Sequence, residues 1–169
     1  MKILHLHVIL LIIFLGTAQI AYAAHAGKIQ DFSLPGIDGR VYRLSDFKGK
    51  VVIVNFWATW CAACVEEMPS LNRLYGQFRD RGLVVLGISV DRTGEKVKSF
   101  LKKHPVDYPV LLDQKGEVFV GKYTIQGLPA TYLVDQEGFL REEAKGKIDF
   151  LSDTFRGKVE LLLKGGDGR

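Results

Sequence analysis

The sequence predicts an α/β domain, a mixed sheet flanked by helices with a hairpin added ahead of it. Val51–Trp57, apolar but for Asn55, and Leu83–Val90 are runs rich in β-branched, aliphatic and aromatic residues, the mark of strands buried on both faces, and each leads into a stretch of helical periodicity. Toward the C-terminus, two short extended runs joined by Asp135-Gln136-Glu137 predict a hairpin, and a last helical pattern follows it.

The chain begins with a targeting segment. Lys2 supplies a positive start, Val8–Leu15 is continuously apolar, and Ala21-Tyr22-Ala23 is a small-x-small cleavage site. Residues 1–23 therefore read as a signal peptide cut after Ala23, with Ala24-His25-Ala26 as a second site. The alternative is an uncleaved anchor over Ile3–Ala24, long enough to cross a bilayer although His5, His7 and Gln19 interrupt it. In both cases residues 24–169 are expected to form one domain in an extracytoplasmic, periplasm-like compartment, soluble or tethered. No cysteine stands directly after the apolar run, which argues against a lipidated cysteine anchor.

Within that domain, Asp31–Leu34 and Val41–Leu44 flank the turn-rich Pro35–Gly39 and predict the added hairpin. The strand Val51–Trp57 precedes a helix over about Cys61–Arg79, and the strand Leu83–Val90 precedes one over about Gly94–Lys103. Tyr108–Leu112 is expected to be extended and Glu117–Tyr123 a short helix. The late hairpin is placed at Thr131–Val134 and Gly138–Arg141. Ser152–Lys164 carries Phe155, Val159, Leu162 and Leu163 at helical spacing, and Gly165–Arg169 reads as a frayed tail.

Length and composition bound the function. The chain has 169 residues, 47% of them hydrophobic and 25% charged, enough for one domain with a core and not two. A net charge of +4 comes from bases interleaved with acids, as in Arg79-Asp80-Arg81 and Arg141-Glu142-Glu143-Ala144-Lys145. That pattern is a solvated surface and not a nucleic-acid stripe.

The motif Trp60-Cys61-Ala62-Ala63-Cys64 holds both cysteines of the chain. In a helix these positions share a face, so the pair can close a disulfide within one turn. A bridge across so short a loop contributes little to stability, which directs attention to redox chemistry. With Cys61 in the first turn, unpaired N–H groups and the helix dipole favour its thiolate, the species that attacks in disulfide exchange. Cys61 is accordingly the expected nucleophile and Cys64 the buried resolving thiol. Val65, not histidine, follows the second cysteine, which argues against a c-type haem site. Zinc would need further ligands, and His25 and His104 are isolated, so no metal and no dissociable cofactor are expected beyond the Cys61–Cys64 disulfide itself.

Glu67 breaks an apolar stripe made by Cys64, Met68, Leu71, Leu74, Tyr75 and Phe78, whereas Glu66, Arg73 and Gln77 fall on the opposite face. A carboxyl on the buried side should titrate high through desolvation and can take and return the Cys64 proton. The competing reading is a stripe-edge glutamate that reaches solvent or a lysine. Pro69, inside the same helix, removes the bond to the Val65 carbonyl and should kink it. Pro129, at the start of a strand, carries no further signal from position alone.

The motifs Val54-Asn55-Phe56-Trp57-Ala58-Thr59-Trp60-Cys61-x-x-Cys64, Glu66-Glu67-Met68-Pro69 and Gly127-Leu128-Pro129-Ala130-Thr131-Tyr132-Leu133-Val134-Asp135 resemble the extracytoplasmic thioredoxin-like proteins of the TlpA/ResA type. The resemblance extends upstream through Asp31–Pro35 and Leu44–Lys50. It implies a thioredoxin fold with an N-terminal hairpin and a central insertion at about 104–125. It also implies a cis Pro129 facing the dithiol, Leu128 backbone that pairs with substrate peptide, and a proton-shuttling glutamate at Glu67. Asn55 stands where ordinary thioredoxins hold a buried aspartate. Two positions depart from the pattern. Ala62-Ala63 lacks the proline usual before the second cysteine, which leaves redox poise open, and Ala130 replaces the glutamate that cytochrome c maturation thioredoxins often carry.

The expected function is therefore an extracytoplasmic thiol–disulfide oxidoreductase, a monomer reduced by a membrane thiol donor. It would act on disulfides of secreted or membrane-attached proteins, with apocytochrome c among the possible substrates, and Trp60 is expected to belong to the docking surface. The rivals are a peroxiredoxin-type thiol peroxidase and a copper or haem chaperone on the same fold. Thr59 is present for the first, but the proline of that motif is not.

Overall fold

A computed structural model describes residues 27–165; the segment 1–23, and all but the first residue of the Gly165–Arg169 tail, lie outside the described residues. The chain enters through a short antiparallel hairpin, β1 (Ser33–Pro35) and β2 (Val41–Arg43). Gly36 at its turn has no room for a side chain, because a Cβ would sit 2.6 Å from the Tyr42 ring. The next residue fastens the hairpin to the main sheet, the Ile37 N–H donating to the Val110 carbonyl at 2.9 Å.

β3 (Val51–Trp57) has every side chain buried, as an all-apolar run broken only by Asn55 demands. Helix α1 (Ala62–Phe78) follows, then β4 (Leu83–Ser89), helix α2 (Gly94–Leu101), β5 (Val110–Leu112), β6 (Ala130–Val134), β7 (Leu140–Lys145) and helix α3 (Asp153–Leu163). The sheet order is β5-β4-β3-β6-β7. β3, β4 and β5 run parallel, while β6 is antiparallel to both β3 and β7. This is the mixed α/β sheet of a thioredoxin-like fold with an N-terminal hairpin.

Two apolar layers cover the sheet. On one face, Leu71, Leu74 and Phe78 of α1, Val97 of α2, and Phe155, Val159 and Leu162 of α3 pack with Ile53, Trp57, Val85 and Leu133. On the other, Phe32, Leu34 and Leu44 from the hairpin region join Val118 over Val54, Phe56, Leu86 and Ile88. Val118 belongs to a single wide turn of π-type helix, Glu117–Lys122, where the sequence suggests a short helix. Buried Asp113 fixes its start, accepting from Val118 N–H at 3.1 Å and Phe119 N–H at 2.8 Å. The Phe56 ring then meets Phe119, Tyr123 and Tyr132, with centroids 5.8, 5.6 and 6.0 Å away. The insertion is thus a structural layer and not a loose loop.

The late hairpin departs from expectation. Its second strand, placed at Gly138–Arg141, runs instead over Leu140–Lys145, with Glu143 and Lys145 exposed. Charges on the outward positions of an edge strand block sheet-to-sheet association, so a run that reads as solvated surface also forms a strand. Asp135 anchors the turn, accepting from the N–H groups of Glu137 and Phe139 and from Arg141 Nε at 2.6 Å.

Phe56→Ala should destabilise the domain by about 3–5 kcal/mol, since it removes the ring on which the insertion rests. Leu161→Ala, on the exposed side of α3, should fall within about 0.5 kcal/mol of wild type. Urea midpoints for the two variants check the contrast.

Candidate active site

β3 delivers the chain to the site. After Trp57 the backbone turns through Ala58-Thr59-Trp60, closed by the Cys61 N–H donating to the Ala58 carbonyl at 3.1 Å. Cys61 is the N-cap of α1, and its sulfur accepts from the Cys64 N–H at 3.2 Å. Cys61 and Cys64 are joined as a disulfide, with Cα atoms 5.3 Å apart. The two cysteines are unequal: Cys61 retains 8% exposure and Cys64 none. Cys64 is therefore closed to an incoming sulfur, while Cys61 lines a surface groove. Backbone N–H groups at a helix N-terminus, of which the Cys64 N–H is one, favour a negatively charged sulfur at this position.

The active-site turn is held by a residue that the sequence does not single out. Asp91, just past β4, is buried and accepts from the Thr59 N–H at 2.9 Å, Thr59 Oγ1 at 2.7 Å and Ser89 Oγ at 2.9 Å. All three bonds reach one carboxylate, so the turn carrying Trp60 and Cys61 is fastened to the end of β4. The available signal was a lone acid directly after a buried strand, a position where it must find donors or leave the core.

Glu67 lies within the apolar stripe of α1 and is 2% exposed. Asn55 Nδ2 donates to its Oε1 at 2.9 Å, and the Ile148 N–H donates to Oε2 at 3.1 Å. Burial pushes this carboxyl above its ordinary range, while those two donors and nearby Lys147 pull the other way without cancelling the effect. Asn55 also donates to Thr131 Oγ1 at 3.0 Å, so β3 and the segment before α3 meet on one acid and β6 joins them through Asn55. Its neighbour Glu66 is the glutamate that meets a lysine, at 2.6 Å from Lys147 Nζ on the surface. Pro69 sits inside α1, which continues through it to Phe78.

The Leu128–Pro129 peptide is cis. The Pro129 carbonyl accepts from the Gly146 N–H at 2.8 Å, and Leu128 lines the same groove as Cys61 and Trp60. Trp60 is 71% exposed, while Trp57 is wholly buried in the core against Phe100. Cys61, Trp60 and Leu128 thus share a surface; Cys64 and Glu67 lie beneath it. Among the described residues, no three His, Cys, Asp or Glu side chains gather to hold a metal ion. Also among them, no helix is long and apolar enough to cross a membrane. His104 stacks on Phe100, with ring centroids 4.4 Å apart.

Residues 26–143 match the AhpC/TSA family. The thiol-disulfide oxidoreductase ResA of Bacillus thuringiensis is 37% identical over 117 residues, 69% of this chain and 67% of that protein. Among solved structures, the thioredoxin domain of a thiol-disulfide oxidoreductase from Bacteroides vulgatus superposes with a TM-score of 0.72 at 30% identity, covering 83% of this chain and 98% of the other. A thiol:disulfide interchange protein of the thioredoxin family from Chlorobium tepidum gives 0.71 at 28% identity, covering 83% and 98%.

Two outcomes follow from this geometry. Asp91→Ala leaves Thr59 and Ser89 donors without their acceptor and should cost about 1–3 kcal/mol, read as a lowered urea midpoint. For Glu67 the folded value lies above the ordinary 4.5, so over that interval the folded state keeps a proton that the unfolded state has released. Its contribution is then full below the ordinary value and declines as pH rises through the raised one. Subtracting the urea-midpoint profile of oxidised Glu67→Gln from that of wild type should expose this decline, and parallel profiles would contradict it.

Proposed function

The chain belongs to the AhpC/TSA family and to its TlpA/ResA-like thiol-disulfide oxidoreductases, and on that premise we propose that it reduces disulfides of secreted or membrane-attached proteins. The observation that carries this reading is the unequal pair, Cys61 lining a groove and Cys64 sealed in the core three residues before a buried carboxyl. The proposed setting is extracytoplasmic, with the N-terminal segment serving as export signal or tether. The protein acts as a monomer, its dithiol renewed by a membrane thiol donor and its redox group being the two cysteines alone.

In the reduced enzyme the Cys61 thiolate attacks one sulfur of the substrate disulfide. That S–S bond breaks, the first substrate thiolate leaves, and a mixed disulfide forms on Cys61. Glu67 takes the proton of the Cys64 thiol. The Cys64 sulfur then attacks Cys61, closing the Cys61–Cys64 bond and expelling the second substrate thiolate, which takes up a proton. Two electrons have passed from the protein dithiol to the substrate. The raised affinity of Glu67 for a proton suits it to take one from the Cys64 thiol, and its bonds to Asn55 and Ile148 hold it in place while it does so. Trp60, Leu128 and cis Pro129 form the docking edge, where the extended substrate chain lies against Leu128 backbone.

The trapping experiment tests the assignment. Reduced Cys64→Ser, expressed with its native export segment, should accumulate mixed disulfides on Cys61 that a small thiol releases, and Cys61→Ser should accumulate none. Recovery of apocytochrome c would identify haem-attachment substrates, and a broad set of secreted proteins general reduction. If Cys64→Ser traps no protein while peroxide rapidly oxidises the wild-type dithiol, the peroxidase assignment replaces this one.

A further inference from the structure

The groove beside Cys61 has a volume of roughly 540 Å³ and draws its lining from four separate segments. Trp60 comes from the turn after β3, Arg92 from the loop after β4, Lys115 and Val120 from the insertion, and Leu128 from the approach to β6. Its chemistry is uneven in two ways. Trp60 and Val120 are 71% and 60% exposed, and both belong to the small set of exposed large apolar side chains among the described residues. Such side chains gathered around one reactive sulfur mark a contact surface, not chance exposure.

The second unevenness is charge. Arg92 and Lys115 line the groove, and no carboxylate does. Glu117 approaches Lys115 at 3.8 Å, but both are well exposed and the pair offsets little of the field. Asp91, next to Arg92, is buried with its carboxylate taken by Thr59 and Ser89. A concave apolar site with cations at its lining concentrates partners of opposite sign.

We propose that this groove is a specificity subsite, selecting substrate chains that carry an aromatic or aliphatic side chain and a carboxylate within a few residues of the disulfide cysteine. The selection rests on the oxidoreductase reading above and adds to it the class of polypeptide preferred. The apolar side chain fills the space between Trp60 and Val120, and the acid pairs with Arg92 or Lys115. The wall that provides Lys115 and Val120 is already ordered by Asp113 and the aromatic cluster around Phe56, so binding need not first organise it.

The test is the reduction of a series of disulfide-linked peptides by the reduced wild-type protein. The peptides differ only beside the cysteine: Phe with Glu, Phe with Gln, Phe with Lys, and Ser with Glu. The Phe–Glu peptide should show a kcat/KM about tenfold above the Phe–Lys peptide, with the gap closing as salt is raised. Arg92→Glu combined with Lys115→Glu should invert that order, and Val120→Ser should narrow the advantage of Phe over Ser. Equal kcat/KM across the wild-type series would overturn the subsite and leave the oxidoreductase assignment standing. Failure to reduce any peptide with an intact reduced dithiol would overturn both. The wild-type series decides the matter even if the double variant does not fold.

Discussion

β3 has no exposed side chain, and that constraint orders the molecule around it. A strand buried on both faces requires two covering layers, and three helices form only one of them. The second comes from the hairpin at Ser33–Arg43 and from the insertion, which lays Val118 and Phe119 over Phe56 and its neighbours. The end of such a strand is also the one place where its chain must leave the core. There the backbone turns, meets the buried Asp91 carboxylate, and presents Trp60 and Cys61 at the mouth of α1. The site is a product of how the central strand exits.

A second constraint operates one helical turn further on. Burying a carboxyl is costly unless donors meet it, and Glu67 is met by Asn55 from β3 and by Ile148 from the segment before α3. Asn55 in turn reaches Thr131 of β6. A neutral amide at this crossing supplies a donor without adding charge, so the acid keeps its raised proton affinity while held in one orientation. The same bonds that satisfy the buried acid also fix its orientation.

Much of this was legible in the residues. Val51–Trp57 announces a doubly buried strand because its seven residues are too few for a typical helix and rich in β-branched and aromatic side chains. Glu67 stands out because helical periodicity assigns each side chain a face before any coordinates exist. Asp91 showed only as a lone acid after a buried strand: Ser89 is a local partner, but Thr59 reaches it only when β4 pairs with β3, and no local pattern encodes that. The length of β7 was hidden for a different reason. An edge strand shows one face to water, so Glu143 and Lys145 look the same as loop residues until pairing with β6 reveals their alternation. The groove lining is the extreme case, assembled from segments up to sixty-eight positions apart, Trp60 to Leu128, that only the sheet brings together.

Complete burial of Cys64 beside a slightly exposed Cys61 has a kinetic consequence. With one of the two cysteines closed off there is one doorway, and a thiol or disulfide that resets the pair must enter where the previous partner has just left. Donor and acceptor cannot be bound together, so the enzyme is confined to a ping-pong cycle in which each partner excludes the other. The two are then competitors for a single surface. Each partner therefore holds the doorway against the other while it is bound, and turnover depends on the abundance of both.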